Sequence, residues 1–336
     1  MLHQFAANTA DEIWRQAAQT LLHGDDVIRQ QSRLGATREL LHCAFVLRDP
    51  RQHWIVSRKP AMNPAFAIAE VIWILLGRDD ARFVNFWNPG LPKFVGHGQR
   101  YYGAYGARLR SGLGFDQIER VYHALSANPN SRQAVLQIWD GRRDFPRAGG
   151  QPQDPDIPCN IVGMPRLQGD RLEWLQVMRS NDLFLGSPHN IVQFTVLQEV
   201  LAGWLGVRPG QYVQTINSLH FYEADTERIH VAAEEQPRTN PDRLDLPKAD
   251  FDRVLQILEA RMERLTDPVL SETAFIELIN ADDLPHGWRN MYLVAAADAA
   301  RRRRWHEGQS RALAACDNPV LHAVWTGWAT RQRERA

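Results

Sequence analysis

The sequence is poor in cysteine and contains no long apolar run. Three cysteines among 336 residues, Cys43, Cys159 and Cys316, are too few for a disulfide framework and are typical of a reducing compartment. The first residues lack the basic start and apolar run of a signal peptide. The longest apolar stretch, residues 65–76, is too short to span a bilayer and contains Glu70. These features predict a soluble, cytoplasmic protein with no membrane partner.

Charge of either sign is not in excess. Lys+Arg and Asp+Glu both number 39, so the formal net charge is zero, which argues against nucleic acid as a general partner. Glycine and proline are scattered and 44% of residues are hydrophobic, which excludes a low-complexity or disordered chain. The sequence has no Walker motif, no G-x-G-x-x-G after a strand, no C-x-x-C and no H-E-x-x-H. Dedicated nucleoside-triphosphate, dinucleotide and zinc sites therefore lack support, and no metal is expected.

Apolar periodicity predicts an α+β fold with helices at both ends of the chain. Strand-like segments are expected within residues 39–57, as two strands joined by a turn, and at 134–139, 171–179 and 211–222. Helical spacing is found at residues 11–22, 65–76 and 190–205, and further helices follow residue 250. We expect a main domain over residues 1–285 and a helical extension over 286–336 packed on it.

Cys159 is the first candidate for chemistry. Pro158 fixes its own backbone and biases Ile157 toward an extended conformation, so the approach to the thiol is rigid. A buried structural thiol is one interpretation, because free cysteine is among the most buried residue types. A nucleophile is the other, and it requires a cationic neighbour that lowers the pKa of the thiol.

Several polar side chains lie next to apolar elements, and each has two interpretations. Glu70, inside an apolar helix, is either its one polar face or a general acid/base. Arg179, Ser180 and Asp182 after a strand form either a polar turn or a phosphate site. Asn190 either caps the following helix or reads a planar heterocycle. His220 and Tyr222 share one strand face, which is either core or a polar pocket.

The arginines of the C-terminal region also have two interpretations. Residues 301–304 are four consecutive arginines, and three more stand within the last six residues. Solvated helix faces or a frayed tail are the ordinary explanation, and a small anion- or RNA-binding patch is the alternative.

Together these segments resemble the thymidylate synthase family, which includes the pyrimidine nucleotide hydroxymethylases. The resemblance runs from about residue 28 to residue 225, and its parts occur in the family's order. The motifs are Arg33-Leu34-Gly35, Glu70 followed by Gly77, Tyr105-Gly106, Asn128 to Arg132, Pro158-Cys159, Arg179 to Gly186, Pro188 to Ile191 and His220-Phe221-Tyr222.

The resemblance implies a fold, an assembly and a cosubstrate. The fold would have a curved mixed β-sheet at a homodimer interface, covered by helices. The partners would be a pyrimidine nucleoside monophosphate and a folate, with 5,10-methylenetetrahydrofolate as cosubstrate and no metal. Arg132 would reach the phosphate site of the other subunit.

The resemblance also implies a role for each matching residue. Cys159 would add to C6 of the pyrimidine, which makes C5 nucleophilic toward the folate's methylene group. The catalytic group would further comprise Glu70, Tyr105, Asp182 and Asn190. The phosphate would be held by Arg33, Arg132, Arg179 and Ser180, and the sugar by His220 and Tyr222.

This chain departs from the methylating members of the family at several positions. Gln133 replaces a second arginine, Asn160 follows the nucleophile in place of histidine, and Asn181 precedes the signature aspartate in place of cysteine. The C-terminal extension replaces a short apolar tail that excludes water from the folate. With asparagine at positions 160 and 181, the chain resembles a divergent, hydroxymethylase-like branch of the family more than its methylating members.

Three functions follow as hypotheses. Methylation of dUMP is the leading prediction, because Asn190 resembles the uracil-specific members, and hydroxymethylation of dUMP, UMP, dCMP or CMP is its alternative. A catalytically silent nucleotide-binding relative is the second hypothesis. A hydrolase that pairs Cys159 with His189 or His220 is the third, and it lacks a recognisable oxyanion loop.

Overall fold

The computed structural model describes residues 2–32, 35–231 and 238–334. Its centre is a mixed sheet with strand order β1-β3-β9-β7-β6-β5, in which β2 pairs with β3 and β8 with β9. The β1/β3, β7/β9 and β8/β9 pairs are parallel and the others in this sheet are antiparallel. Its strands are β1 (His3–Ala7), β2 (Ile28–Ser32), β3 (Gly35–Leu47), β5 (Leu136–Gln137), β6 (Asn160–Gln168), β7 (Arg171–Met178), β8 (Asn181–Asp182) and β9 (Arg208–Tyr222). A separate pair joins β4 (Arg58–Lys59) to β10 (His230–Val231).

Helices alternate with these strands along the chain and also follow them. The N-terminal and central helices are α1 (Ala10–His23), α2 (Pro64–Leu75), α3 (Ala81–Trp87), α4 (Pro92–Val95), α5 (Tyr105–Arg110), α6 (Gln117–Ala127) and α7 (Ser187–Trp204). A 3₁₀ turn (Glu223–Arg228) follows β9. The C-terminal helices are α8 (Lys248–Thr266), α9 (Glu272–Asn280), α10 (His286–Arg302), α11 (His306–Ala315) and α12 (Pro319–Glu334). The α+β fold class is therefore confirmed.

Two largely buried helices, α2 and α7, pack against each other; α7 also packs on β7 and β9, and α2 on α10. Asn63 caps α2 by accepting a hydrogen bond from the backbone of Phe66. The helix ends where Gly77 takes φ +70°, and a side chain there would collide with Arg110. On the other side of α2 lies α10, whose Trp288 and Tyr292 are fully buried. The helix α2 therefore contacts α7, which packs on the sheet, and also the C-terminal helix α10.

Two expected elements differ from the structure. Residues 39–57 contribute one long strand, β3, and the chain after Pro50 runs without strand pairing until Arg58. The segment 134–139 contributes only the two residues of β5. Among the described residues, no helix is long and apolar enough to cross a membrane.

Candidate active site

The thiol of Cys159 lies directly before β6, beside a cation from the neighbouring strand. Arg179 follows β7, and its Nε donates to the carbonyl of Pro158 at 2.8 Å while its Nη2 donates to the carbonyl of Ile157 at 2.9 Å. The same Nη2 lies 3.8 Å from Cys159 Sγ. One guanidinium therefore fixes the backbone of the nucleophile loop and places positive charge next to the sulfur.

Burial and charge act in opposite directions on this thiol. Burial raises the pKa of Cys159, the charge of Arg179 lowers it, and Asp156 and Asp182 raise it further. Cys43 and Cys316 are buried in the core, which raises their pKa to about 12 and about 11, although Arg289 opposes the shift at Cys316. The cationic neighbour that a nucleophilic Cys159 requires is present, although the net direction of the pKa shift is upward.

Cys159 opens into a cavity of about 740 Å³. Six other residues predicted for the site contribute to its lining: Glu70, Tyr105, Ser180, Asp182, Asn190 and Tyr222. These residues come from α2, α5, α7, β8, β9 and the β7–β8 connection. Seven of the eleven predicted residues therefore line one cavity.

Asp182 and His220 are neighbours on adjacent strands. The carboxylate of Asp182 accepts hydrogen bonds from the backbone of Phe184 and Leu185, each at 2.8 Å. Burial raises its pKa, and these bonds together with the nearby His220 oppose the shift. The β8/β9 register places His220 directly beside Asp182. The His220 and Tyr222 rings lie 5.7 Å apart on the same strand face, as the alternation predicts.

Glu70 faces His189 across the cavity wall. Glu70 Oε2 and His189 Nδ1 are 3.0 Å apart, and each side chain is less than one-fifth exposed. Within the described residues, neither atom has a partner aligned for a hydrogen bond. The His189 ring also packs 5.0 Å from the ring of Phe66. The pair therefore joins the first turn of α7 to α2, and both residues line the cavity.

Asn190 belongs to a line of buried amides. Gly186 precedes the first turn of α7, so Asn190 lies inside the helix, and its interpretation as the N-cap is wrong. Its Oδ1 accepts from Asn160 Nδ2, and its Nδ2 donates to Asn181 Oδ1, each at 3.2 Å. The two asparagines that distinguish this chain from methylating relatives thus both bind Asn190. Tyr105 also hydrogen-bonds to Asn160, although burial raises the pKa of its hydroxyl.

Of the three predicted phosphate ligands that the structure describes, only Ser180 lines the cavity. Arg132 is exposed after the turn at Asn128, outside the cavity lining. Arg33 lies outside the described residues. Arg179 approaches the cavity through Cys159 and the adjacent Ser180, as described above.

The sequence interpretation missed several cavity residues. Asp156 accepts from the backbone of Gly103 at 2.8 Å, and burial raises its pKa to about 7. The C-terminal helices contribute Arg301, Arg302 and Trp328. The arginine run at 301–304, with its anion-binding alternative, is a usable signal for Arg301 and Arg302, whereas no local pattern marks Trp328.

Arg301 and Arg302 correct the interpretation of the arginine run as a solvated surface. Both bind the carboxylate of Asp298, which is fully buried. Arg301 also stacks on Trp328 at 4.7 Å from the ring centre, and Arg302 donates to the carbonyl of Trp87 at 2.6 Å. These contacts hold two guanidinium groups at the cavity, so the residues are part of its wall.

Comparison with known proteins agrees with this geometry. The family model described as thymidylate synthase matches residues 30–265. A deoxyuridylate hydroxymethyltransferase of Bacillus phage SP01 is 29% identical over 235 residues, which cover 67% of this chain and 60% of the relative. One of Pseudomonas phage M6 is 35% identical over 163 residues, covering 48% and 45%. A thymidylate synthase of Mycoplasma pneumoniae is 26% identical over 223 residues, covering 57% and 75%.

These matches differ in extent. The aligned region spans 60% and 45% of the lengths of the two phage relatives. The family model, in contrast, covers well over half of this chain and includes the nucleophile loop, the β7–β8 connection and α7. On this match, together with the cavity around Cys159, the chain belongs to the thymidylate synthase family.

Proposed function

We propose that this chain transfers a one-carbon unit from 5,10-methylenetetrahydrofolate to C5 of a uracil nucleoside monophosphate, with dUMP as the preferred substrate. The observation that carries the proposal is Cys159 held beside Arg179 at the wall of the cavity that also contains Glu70 and Asn190. C5 of uracil is a weak nucleophile. Addition of the Cys159 thiolate to C6 gives C5 enolate character, so that it attacks the methylene carbon.

The nucleotide would lie along the sheet side of the cavity. Arg179 and Ser180 would hold the phosphate, since a guanidinium fork and a hydroxyl suit its oxygens. His220 and Tyr222 share the strand face beside Asp182 and would hold the sugar. Asn190 would read the ring edge. Positioning of this kind places C6 against the sulfur and contributes several kcal/mol to catalysis.

The folate would lie toward the C-terminal helices. Trp87, Phe94 and Trp328 give that part of the cavity aromatic surface, and Arg301 adds positive charge. A folate carries a flat heterocycle and carboxylates, which match these two properties. We therefore propose that residues 286–336 form an extension of a catalytic domain at 1–285 and complete its cosubstrate site.

The product we favour is the hydroxymethyl nucleotide. Both phage relatives described above are named deoxyuridylate hydroxymethyltransferases. The Glu70–His189 pair would supply the chemistry: a small rotation of the ring would let Glu70 Oε2 accept a hydrogen bond from His189 Nδ1 and leave Nε2 to accept a proton. Methylation is the alternative product and needs hydride from the folate in place of water. It is supported by the Mycoplasma pneumoniae relative, which is named thymidylate synthase.

The water step can be written in full. After tetrahydrofolate leaves, C5 carries an exocyclic methylene conjugated with the C4 carbonyl. Water attacks the methylene carbon, its proton passes to His189, and the π electron pair moves to O4. Collapse of that enolate forms the C5–C6 double bond and expels the Cys159 thiolate. Nothing is oxidised in this step, so the folate is released as tetrahydrofolate, whereas methylation would release dihydrofolate.

We propose a homodimer that forms through the open face of the sheet. Leu41 is 38% exposed there, and Leu175, Val177 and Val213 are only half-buried at alternate strand positions. An apolar sheet face of this kind suits a second copy of the chain. In that dimer Arg132 would supply phosphate contacts to the partner's site. We also propose a cytoplasmic location, in keeping with a nucleotide substrate and thiols that are free in the described residues.

Product mass tests the proposed function. The protein would be incubated with methylenetetrahydrofolate and, separately, with dUMP, UMP, dCMP and CMP. Hydroxymethyl-dUMP with released tetrahydrofolate is the expected result, and Cys159→Ser should abolish it while Cys43→Ser should not. A methyl product with dihydrofolate would establish the methylation alternative. Absence of product from all four nucleotides would contradict the proposal and favour a silent nucleotide-binding relative.

A further inference from the structure

We propose that a buried line of hydrogen bonds from Trp174 to Asn190 determines whether the site accepts uracil or cytosine. This inference rests on the proposed function, in which Asn190 reads the base. The line runs through two strands and reaches α7, and its members are at most 8% exposed. Its links are Trp174 Nε1 to Gln176 Oε1 at 3.0 Å, Gln176 Nε2 to Asn160 Oδ1 at 3.0 Å, and Asn160 Nδ2 to Asn190 Oδ1 at 3.2 Å.

The line has a fixed polarity because of its first member. An indole N–H can only donate, so the atom of Gln176 that faces Trp174 must be its oxygen. The nitrogen of Gln176 then faces Asn160, which must present its oxygen. Asn160 in turn presents its nitrogen to Asn190, so the oxygen of Asn190 lies on the Asn160 side.

An isolated amide can turn over and exchange its donor and acceptor, but Asn190 is prevented from doing so. If Asn190 turned alone, its nitrogen would face the nitrogen of Asn160 without an acceptor between them. If Asn160 turned as well, the same conflict would arise with Gln176, and finally with the indole of Trp174. Buried donors that face one another are costly because water cannot reach them.

The packing around Trp174 leaves space for its hydrogen bond to Gln176. Gly163 lies opposite Gln176 in the β6/β7 register. A side chain at Gly163 would approach the Trp174 ring to 2.9 Å and Gln176 Oε1 to 3.1 Å. The space for the Trp174–Gln176 bond therefore depends on the absence of a side chain on the facing strand.

Uracil and cytosine present opposite patterns to an amide. Uracil offers an N3–H donor and an O4 acceptor, whereas cytosine offers an N3 acceptor and an N4 amino donor. An amide of one fixed polarity pairs with only one of these patterns. Trp174, Gln176 and Asn160 are thus positioning residues that act through Asn190.

The test compares Trp174→Phe and Gln176→Leu with the unaltered protein. Each variant removes one link, so Asn190 becomes free to turn together with Asn181, whose Nδ2 has no hydrogen-bond partner within the described residues. The ratio of kcat/KM for dUMP to that for dCMP should then fall about tenfold, which corresponds to about 1.4 kcal/mol. The ratio is measured on one preparation, so any unfolded fraction cancels. Equilibrium binding of both nucleotides without folate should show the same loss of preference.

Gln198→Leu is the matched control. Gln198 is also fully buried, but it donates to backbone carbonyls of the sheet and has no link to the amide line. Its substitution should reduce stability and leave the dUMP:dCMP ratio unchanged. If the unaltered protein converts a uracil nucleotide and both link variants keep its ratio, the inference is wrong while the proposed function stands. If the unaltered protein converts no pyrimidine nucleotide, the proposed function itself fails.

Discussion

The guanidinium of Arg179 and the thiol of Cys159 are held 3.8 Å apart by hydrogen bonds between the two backbone segments that carry them. Arg179 binds the carbonyls of Ile157 and Pro158, while its own backbone N–H donates to the carbonyl of Cys159 at 2.9 Å. The cation therefore cannot leave the nucleophile without disrupting the loop. Loop geometry and thiolate stabilisation depend on one side chain, and substitutions can separate these two effects.

Substitution of Arg179 by Gln should raise the pKa of Cys159. The positive charge opposes the upward shift caused by burial, so its removal leaves that shift uncompensated. We expect the pH profile of Cys159 alkylation to move up by about one unit, which is about a tenfold slower reaction at neutral pH. Peptide mass spectrometry gives the rate at this cysteine alone.

Two further variants test whether the charge of Arg179 causes this shift in the alkylation profile. Arg179→Lys keeps the charge but cannot bind both carbonyls, so the alkylation profile should stay near its original position while kcat falls. Arg171→Gln, at the exposed start of β7, should change neither. An unchanged profile in Arg179→Gln would show that the charge does not act on the thiol.

Substitution of His189 by Phe should slow water capture without preventing the earlier steps. A general base contributes roughly 10²–10⁴-fold, so hydroxymethyl product should fall by at least about 100-fold. Release of tritium from C5 of the nucleotide reports formation of the bond to the methylene group and should change only a few-fold. His123→Gln, on the exposed face of α6, is the control. Equal losses of tritium release and product would exclude a specific role in the water step.

Much of the fold and of the nucleophile region follows from the sequence, because the evidence there is local. The apolar face of α7 was expected at 190–205, and the helix spans Ser187–Trp204. Pro158 and Arg179 flank elements that pair in the sheet, so their motifs come together through strand register. Strand length is less predictable from the sequence. The turn at Pro50 predicts two strands, and only β3, before the turn, forms.

The remaining site features depend on contacts between distant segments. Glu70 and His189 stand 119 positions apart and meet only because α2 packs on α7. Four adjacent arginines predict a solvent-exposed surface, whereas in the fold Arg301 forms an ion pair with the buried carboxylate of Asp298. Gln176 and Trp174 read as alternate residues of an ordinary strand. Their hydrogen bonds to Asn160 become visible only with the sheet register.

Substitution of Arg301 by Gln should weaken the folate and leave the nucleotide unaffected. Arg301 stacks on Trp328 and lines the cavity from α10, whereas we assign the nucleotide phosphate to Arg179 and Ser180. We expect KM for methylenetetrahydrofolate to rise about tenfold, equivalent to about 1.4 kcal/mol, with an unchanged KM for dUMP. Arg311→Gln removes an exposed arginine from the same C-terminal region and should have no effect. A rise in both KM values would place Arg301 outside a folate-specific role.

His286 should make the attachment of α10 depend on pH. Its ring lies between Asp317 at 3.0 Å and Asp242 at 3.4 Å, and the hydrogen bond to Asp317 raises the pKa of His286. A raised pKa in the folded state means that the stabilisation is complete below the unfolded pKa of about 6.5 and is lost as pH increases through the folded value. His286→Ala should therefore lower Tm at pH 5.5 more than at pH 9.

The expected effect is small, because His286 is largely exposed. An exposed pair contributes about 0.5 kcal/mol, which corresponds to a Tm difference of roughly 1 °C. His306→Ala, at the exposed start of α11, should show no such pH dependence. The opposite trend, a larger loss at high pH, would mean that the neutral ring provides the contact.

Mixing two inactive variants should restore activity if Arg132 acts across the dimer. Cys159→Ala lacks the nucleophile, and Arg132→Ala lacks the phosphate contact that we assign to the partner's site. Arg132 is exposed and outside the cavity of its own chain, which is the arrangement that such a shared site requires.

A heterodimer of the two variants then has one site with both residues and one with neither. Random reassociation should recover about a quarter of the original activity, measured as hydroxymethyl-dUMP formed. Arg142→Ala, another exposed arginine, should be active alone and is the control for nonspecific charge loss. If the mixture exchanges subunits and remains inactive, Arg132 does not complete the partner's site.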